Sequence, residues 1–501
     1  MKRLCINMRH TKRSPYGSSG MPLCILNYNE KNKTRNIFVT FLVFVVIMGC
    51  KIKEKPIEPA PLYPVPSQKQ LNWQKDETLM FAHFGMKTFY SSDWHMGDGT
   101  EDPNKFNPVD FDPVQWAKAA KVGGFKGIVL TSKHPDGFCN WQTRTTDHSL
   151  KSASWRNGKG DVVSEFVEAC HKEGLLAGLY ISILDLNYQL SGNDPKNYSS
   201  FLEAQISELL TNYGEIDELW IDGYHAERME VDYKKIAALI AKLQPDMIVY
   251  DSGLLVDYMP AGSCVSWPGA HGGLKDPNWS FTNEKGPWYP AEASIIAQGN
   301  WFYDNNPIIS LDKLIDYYRS SVGMNAVALI NVAPNREGLI DDASVIRLKE
   351  FKAWVDGLNK KDLTQSEKVK ITADSWRGSV KAFAPENAID GKYDTYFATD
   401  DGVKTATIEI DMGAKIDIEG IMLQEYIPLG QRVSSFSIEC FDGTKWIHMA
   451  SLGTIGYKRL VLSESPELNG LKFPRSEKVR LTIIDSRACP LINTIKIIGR
   501  P

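Results

Sequence analysis

The chain has 501 residues, 43% of them hydrophobic and 24% charged, with 38 Gly and 26 Pro. That is ordinary globular composition sized for two or three domains, which excludes a disordered chain, a collagen-like fibre and a small disulfide scaffold. The formal net charge is −4, and without a basic run or basic helix to track phosphates the sequence argues against nucleic acid as a partner.

Near the N-terminus one apolar run, residues 37–49, follows Lys31, Lys33 and Arg35. It is shorter than the roughly 20 residues a membrane span needs, so it is expected to be the core of a signal peptide. It ends Ile47-Met48-Gly49-Cys50, which resembles the lipobox of bacterial lipoproteins. Residues 1–50 are thus expected to be a signal peptide with Cys50 as the lipidated residue, and the polar stretch ahead of Lys31 points to Met21 as the start. Loss of residues 1–49 removes eight basic residues and one acidic one, so the mature chain would carry −11. The expected location is the bacterial periplasm or outer-membrane surface, with the lipid anchor as the only membrane contact. Five cysteines then remain, Cys139, Cys170, Cys264, Cys440 and Cys489, without a CxxC. Neither a zinc site nor a disulfide framework is supported, and isolated cysteines of this kind are small buried hydrophobes.

Residues 51–70 hold Pro56, Pro59, Pro61, Pro64 and Pro66 among Lys and Glu, a composition expected to form an extended tether. From residue 71 strand-like and helical runs alternate. Strands are predicted at 81–85, 127–132, 176–181, 219–222, 247–250 and 326–332, and helices at 113–122, 162–173, 198–213, 233–243, 311–320 and 343–358. This rhythm over residues 71–359 argues for a parallel (β/α)8-type barrel, and the lack of Gly-x-Gly-x-x-Gly after the first strand removes the main dinucleotide-binding signal. After Lys360-Lys361-Asp362 short strands at 406–411, 421–425, 436–441, 446–450 and 479–485 alternate with Gly/Asp turns, predicting an antiparallel β-sandwich over 360–501.

In such a barrel the reacting groups lie at the carboxyl ends of the strands. That position nominates His83, Lys133, His134, Asp136, Ser182, Asp185, Asp222, Asp251 and Asn331. No metal-ligand spacing accompanies them, so neither a metal nor a cofactor is predicted. Trp94, Trp141, Tyr180, Trp220, Trp267, Trp301 and Tyr303 fall near the same strand ends. Carboxylates beside aromatic faces suit glycoside hydrolysis, in which one carboxylate attacks the anomeric carbon and a second group protonates the leaving oxygen.

These residues carry a resemblance. His83-Phe84-Gly85, Lys133-His134-Pro135-Asp136-Gly137-Phe138, Gly178-Leu179-Tyr180-Ile181-Ser182, Glu218-Leu219-Trp220-Ile221-Asp222-Gly223, Pro290-Ala291-Glu292 and Leu329-Ile330-Asn331-Val332 resemble successive blocks of glycoside hydrolase family 29, the retaining α-L-fucosidases. Gly430-Gln431-Arg432-Val433 resembles the C-terminal sandwich of the branch acting on α-1,3/1,4-linked fucose, and Asp390-Gly391-Lys392-Tyr393-Asp394 is similar to galactose-binding-like modules. The resemblance implies an exo-glycosidase releasing terminal α-L-fucose, or a sugar of related configuration, from fucosylated oligosaccharides or glycoconjugates. It implies Asp222 as nucleophile, and His83, His134, Trp141, Tyr180, Trp220 and Trp301 as the residues that hold the sugar. The Asp390/Asp394 loop is open to two readings, a structural calcium or a turn.

Four positions depart from the family pattern. Pro135 replaces a His, Ala270-His271 stands where the branch has Asn-Glu with the acid/base Glu, Gln298 replaces an Arg, and Asp304 replaces a His. The acid/base is therefore sought at Glu292, favoured as a buried carboxyl, or at His271, with Glu284 a weaker candidate in a turn. The alternative is a glycan-binding lipoprotein that keeps the barrel cavity and has lost acid catalysis.

Overall fold

The computed structural model describes residues 57–90, 97–269 and 271–500; the leader, Cys50 and Trp94 lie outside the described residues. Eight parallel strands close into a barrel: β1 Thr78–Ala82, β2 Gly127–Lys133, β3 Leu176–Ser182, β4 Glu218–Asp222, β5 Ile248–Asp251, β6 Cys264–Ser266, β7 Ala291–Ile296 and β8 Ala326–Asn331. Around them run α1 Gln68–Asp76, α2 Pro113–Gly123, α3 Val162–Glu173, α4 Leu186–Leu190, α5 Tyr198–Asn212, α6 Tyr233–Leu243, α7 Leu311–Ser320 and α8 Asp342–Lys360. Their ends follow from local chemistry. Asp112 accepts hydrogen bonds from the backbone N–H of Val114 and Gln115 with Pro113 in the first turn, and Gly124 closes α2 at φ +83°, the pairing of acidic cap and left-handed glycine that satisfies both helix ends.

Because a parallel barrel strand is buried on both faces, the alternation that matters is inward against outward. On β4, Leu219 and Ile221 pack outward with the helices, which turns Glu218, Trp220 and Asp222 toward the axis. Leu79, Phe81, Val129, Tyr180, Ile248, Tyr250, Val265, Val327 and Leu329 fill the interior, and Trp73 of α1 plugs its amino end.

The second domain contains β9 Lys370–Ala373, β10 Phe397–Ala398, β11 Ala406–Glu425, β12 Val433–Phe441, β13 Trp446–Leu452, β14 Arg459–Leu462, β15 Arg475–Ser486 and β16 Leu491–Arg500, all antiparallel. The two strands expected at 406–411 and 421–425 are one long strand. Its first part pairs with β9 and β15, and its last with β14 and β16. Between them Gly413, at φ +71°, donates its N–H to Asp411 Oδ1 at 2.9 Å. The fold is thus the expected barrel followed by an antiparallel β domain.

The helical ring has one gap. The connections on either side of β6 carry no α-helix among the described residues, so the helical ring is open there and the antiparallel domain braces it. Gln431 Oε1 accepts from Ser280 N (2.9 Å), and Gln431 Nε2 donates to Asn278 O (3.2 Å). One expectation, the extended tether, is corrected: residues 57–66 are docked rather than free. Arg377, Arg432 and Arg487 donate to the carbonyls of Ile57, Ala60 and Tyr63 at 2.6, 2.7 and 2.9 Å, and Leu62 N donates to Leu429 O. A proline-rich segment lacks many of its own N–H donors, but its carbonyls remain strong acceptors, and arginine forks take them up.

Candidate active site

At the carboxyl end of the barrel lies a cavity of about 400 Å³, lined by Phe81, His83, His134, Pro135, Tyr180, Trp220, Asp222, Tyr224, His271, Ile296, Gly299, Asn300 and Trp301. Among the described residues its lining is aromatic, with one carboxylate. Asp222, the last residue of β4, accepts a hydrogen bond at Oδ1 from Tyr224 N (2.9 Å) and at Oδ2 from the Tyr180 hydroxyl. Burial pushes its carboxyl above the ordinary aspartate value, while those two donors and nearby His271 act against the rise. Both oxygens are thereby held on a rigid strand end, which is what an attacking carboxylate requires.

His83 Nδ1 lies 2.8 Å from Asn331 Oδ1, and Asn331 Nδ2 donates to Trp301 O at 2.8 Å. The amide orientation fixed by that second bond makes Asn331 Oδ1 the acceptor, so His83 Nδ1 carries the proton and Nε2 is left as an acceptor. Burial and neighbouring His134 hold the His83 imidazole well below its usual range, and it is neutral at physiological pH. The rings pack as one wall: His83 on Trp301 at 4.8 Å between centroids, His134 stacked on Tyr180 at 5.8 Å, and Trp220 flat on Tyr250 at 3.7 Å and 5°.

Of the expected sugar-holding residues, His83, His134, Tyr180, Trp220 and Trp301 line the cavity and Trp141 does not. Trp141 is fully buried, and its indole donates to Glu208 Oε2 of α5 at 2.9 Å; a buried indole N–H needs an acceptor, and this one lies outside the barrel wall. Glu292 is also absent from the cavity wall. As the second residue of β7 it sits deep in the barrel, 1% exposed, with Oε2 accepting from the Trp220 indole at 2.8 Å. It lies behind the sugar-facing ring and has no route to a leaving oxygen, which corrects the preference for Glu292 as acid/base. His271 does reach the cavity, with Nδ1 2.9 Å from Ser294 Oγ and its ring against Trp267 and Trp301. Burial lowers its imidazole below the usual value, and the Asp222 charge opposes that. Glu284 is an exposed partner of Arg487.

The departures from the family pattern divide in the same way. Pro135 and His271 face the cavity, whereas Gln298 turns away, accepting from Ala333 N at 2.8 Å and donating to Ser344 Oγ at 3.2 Å, and Asp304 caps Asn306. Other strand-end candidates serve the scaffold. Lys133 is a fully buried cation satisfied by Asp185, Gln205 and Tyr198, and Asp251 accepts three backbone N–H groups from residues 254–256. Among the described residues no three histidine, cysteine or carboxylate side chains gather in a metal-binding arrangement. In the second domain Asp390 accepts from the Thr395 hydroxyl and Lys392 N, which favours the turn over the calcium loop. Tyr224 and Tyr250 were missed in the sequence. Tyr224 was within reach, two residues beyond Asp222 at a strand end, but Tyr250 acts only through its stack on Trp220 and leaves no sequence signal.

A closed parallel barrel whose strand ends present a fixed carboxylate to a ring-lined cavity defines a protein of the glycoside-hydrolase kind. The chain belongs to the alpha-L-fucosidase family: that family's model matches residues 62–360, and the F5/8 type C domain matches residues 363–489. It is 33% identical over 463 residues to alpha-L-fucosidase 1 of Arabidopsis thaliana, covering 87% of each chain. The crystal structure of SpGH29 superposes with a TM-score of 0.79 at 30% identity, covering 89% of this chain and 100% of that one. A GH29 fucosidase of Ruminococcus gnavus in complex with fucose gives 0.77 at 26% identity, covering 90% and 98%.

Proposed function

We propose that the protein is a retaining exo-α-L-fucosidase acting on fucosylated oligosaccharides or glycoconjugates, with Asp222 as nucleophile and His271 as acid/base. The observation that carries this is Asp222 itself, clasped by Tyr180 and Tyr224 N, and the one carboxylate among the described residues that line the cavity. The Asp222 carboxylate attacks the anomeric carbon and the glycosidic bond breaks. The proton on His271 passes to the leaving oxygen. Water then cleaves the glycosyl ester, giving its proton to His271 and restoring Asp222. His83 Nε2 is placed to accept from a sugar hydroxyl, and the Trp301 and Trp220 rings offer faces to its C–H surface. Similarity of the second domain to the α-1,3/1,4-acting branch supports those linkages, and the lipobox-like Cys50 supports an anchored enzyme of the periplasm or outer-membrane surface.

One observation favours the rival reading, a glycan-binding lipoprotein without acid catalysis: burial lowers the His271 imidazole, and a neutral imidazole cannot protonate a leaving group. Two substrates separate the readings. An aryl fucoside with a good leaving group needs only Asp222, whereas a fucosylated oligosaccharide needs the acid as well. Turnover of both supports the enzyme; turnover of neither, with fucose binding detectable by calorimetry, supports the binding protein.

A further inference from the structure

Beneath the cavity the barrel axis holds two carboxyl groups that the proposed reaction does not use. Glu218 on β4 and Glu292 on β7 are 3% and 1% exposed. Each gives one oxygen to an indole: Glu218 Oε2 accepts from Trp73 Nε1 at 3.1 Å, and Glu292 Oε2 accepts from Trp220 Nε1 at 2.8 Å. The other oxygen of each, Oε1, is buried without a hydrogen-bond partner among the described residues. Among the described residues no cation pairs with either carboxyl. The titratable neighbours of Glu292 are Glu218 itself and the phenols of Tyr250 and Tyr317, and Glu218 faces Asp76 and Asp217.

An isolated carboxylate in such surroundings loses hydration that one indole N–H cannot replace, and a second charge nearby adds repulsion. Both effects act in one direction. Burial and Glu218 push Glu292 well above the usual carboxyl range, and burial with the neighbouring acids pushes Glu218 up to about 8. The orphaned oxygens are where the protons belong.

Trp220 is gripped on two sides: its face lies flat on Tyr250 and its N–H points to Glu292. Its third side lines the cavity, and two residues further along the same face of β4 stands Asp222. We infer that Glu292 is a positioning residue, which, as a neutral member of a buried acid pair with Glu218, fixes the Trp220 ring that floors the sugar cavity. A neutral acceptor is suited to this place, because an ionised Glu292 would set a second negative charge behind a ring two residues from Asp222 on the same face of β4.

This inference rests on the fucoside reading of the cavity, and the test separates the two. E292Q keeps a carbonyl acceptor for the indole without a charge, and E292L fills the space with no acceptor. On an aryl fucoside E292Q is expected to stay within about threefold of the parent in kcat and KM, whereas E292L raises KM by about tenfold with a smaller fall in kcat. Infrared spectroscopy of the parent at neutral pH is expected to show protonated-carboxyl C=O absorption from the pair, with a Glu292 band that E292Q loses while that of Glu218 remains. The absence of that band, or equal KM values in E292Q and E292L, would overturn the inference. So would a loss in E292Q confined to natural oligosaccharides, which would make Glu292 the acid/base after all. If the parent turns over no fucoside, the fucosidase reading fails and the infrared band still decides the protonation of the pair.

Discussion

The Tyr180 hydroxyl donates a hydrogen bond to Asp222 Oδ2 across two adjacent parallel strands, in a register that sets Tyr180 beside Trp220 and Ser182 beside Asp222. The donor therefore comes from one strand and the acceptor from the next, and neither can drift without breaking the barrel's own ladder. Burial also pushes the Tyr180 phenol well above its usual value, so the proton stays on Tyr180 and the charge on Asp222.

A pH profile follows from these groups. Asp222 must be ionised to attack, so the acid limb of kcat/KM is expected above the ordinary aspartate value of 3.8. His271 must be protonated to act as acid, so the alkaline limb is expected below the ordinary imidazole value of 6.5. The resulting bell is narrow and lies on the acid side of neutrality. Tyr180→Phe removes a donor that favours the carboxylate, and should move the acid limb upward by about one to two pH units. An unmoved acid limb would show that another group sets it.

Replacing Asp222 with Gly opens space beside the anomeric carbon without disturbing a core group. Turnover should vanish, and azide should restore it with a fucosyl azide of inverted configuration as product, identified by NMR. A variant that fails to fold would instead mark Asp222 as a structural residue.

His271→Ala is expected to lower turnover of a fucosylated oligosaccharide by about a hundredfold or more, while an aryl fucoside with a good leaving group loses far less in the glycosylation step. Equal losses on the two substrates would assign His271 to holding the sugar.

The parts legible in the sequence are those that depend on local pattern. The spacing of apolar residues gave away β4, α3 and α6, and strand-end position alone picked out Asp222, His83 and Asn331. What escaped depends on contacts far apart in the chain. β6 has only three residues, too few for a periodic signal. Trp141 and Glu292 carry the right side chains in the right motifs, but their directions are fixed by Glu208 and Trp220, on other elements. The proline-rich composition of residues 57–66 said nothing of the three arginines, more than 300 residues away, that hold it.

Glu77, between α1 and β1, ties the two domains together. It pairs with Lys458 and accepts from the hydroxyls of Tyr318 (2.7 Å) and Tyr457 (3.0 Å). Burial raises its carboxyl, but the ion pair and these donors together outweigh it and hold the group below the usual 4.5. A depressed carboxyl contributes stability above its unfolded value and loses it as pH falls through the folded value. Glu77→Gln should therefore cost about 2–4 kcal/mol at pH 7 by stranding Lys458, and much less at pH 3, as measured by denaturant unfolding at both pH values. An equal cost at both would mean that the charge plays no part.

The docked N-terminal segment offers a test confined to backbone geometry. Gly430 has φ +92°, and a Cβ built there falls 2.0 Å from the carbonyl oxygen of Leu62, the residue whose N–H bonds Leu429 O. Gly430→Ala must therefore strain the turn and also expel the strap, and is expected to cost about 2–4 kcal/mol. If the strap is what the alanine displaces, proteolysis should cut first within residues 57–63 of the variant while the barrel stays intact. Removing those residues should also make Gly430→Ala cheaper, because only the strained φ then remains to be relieved. A cost that is the same with and without the strap would place the whole effect in the turn and leave the contact with Leu62 without energetic weight.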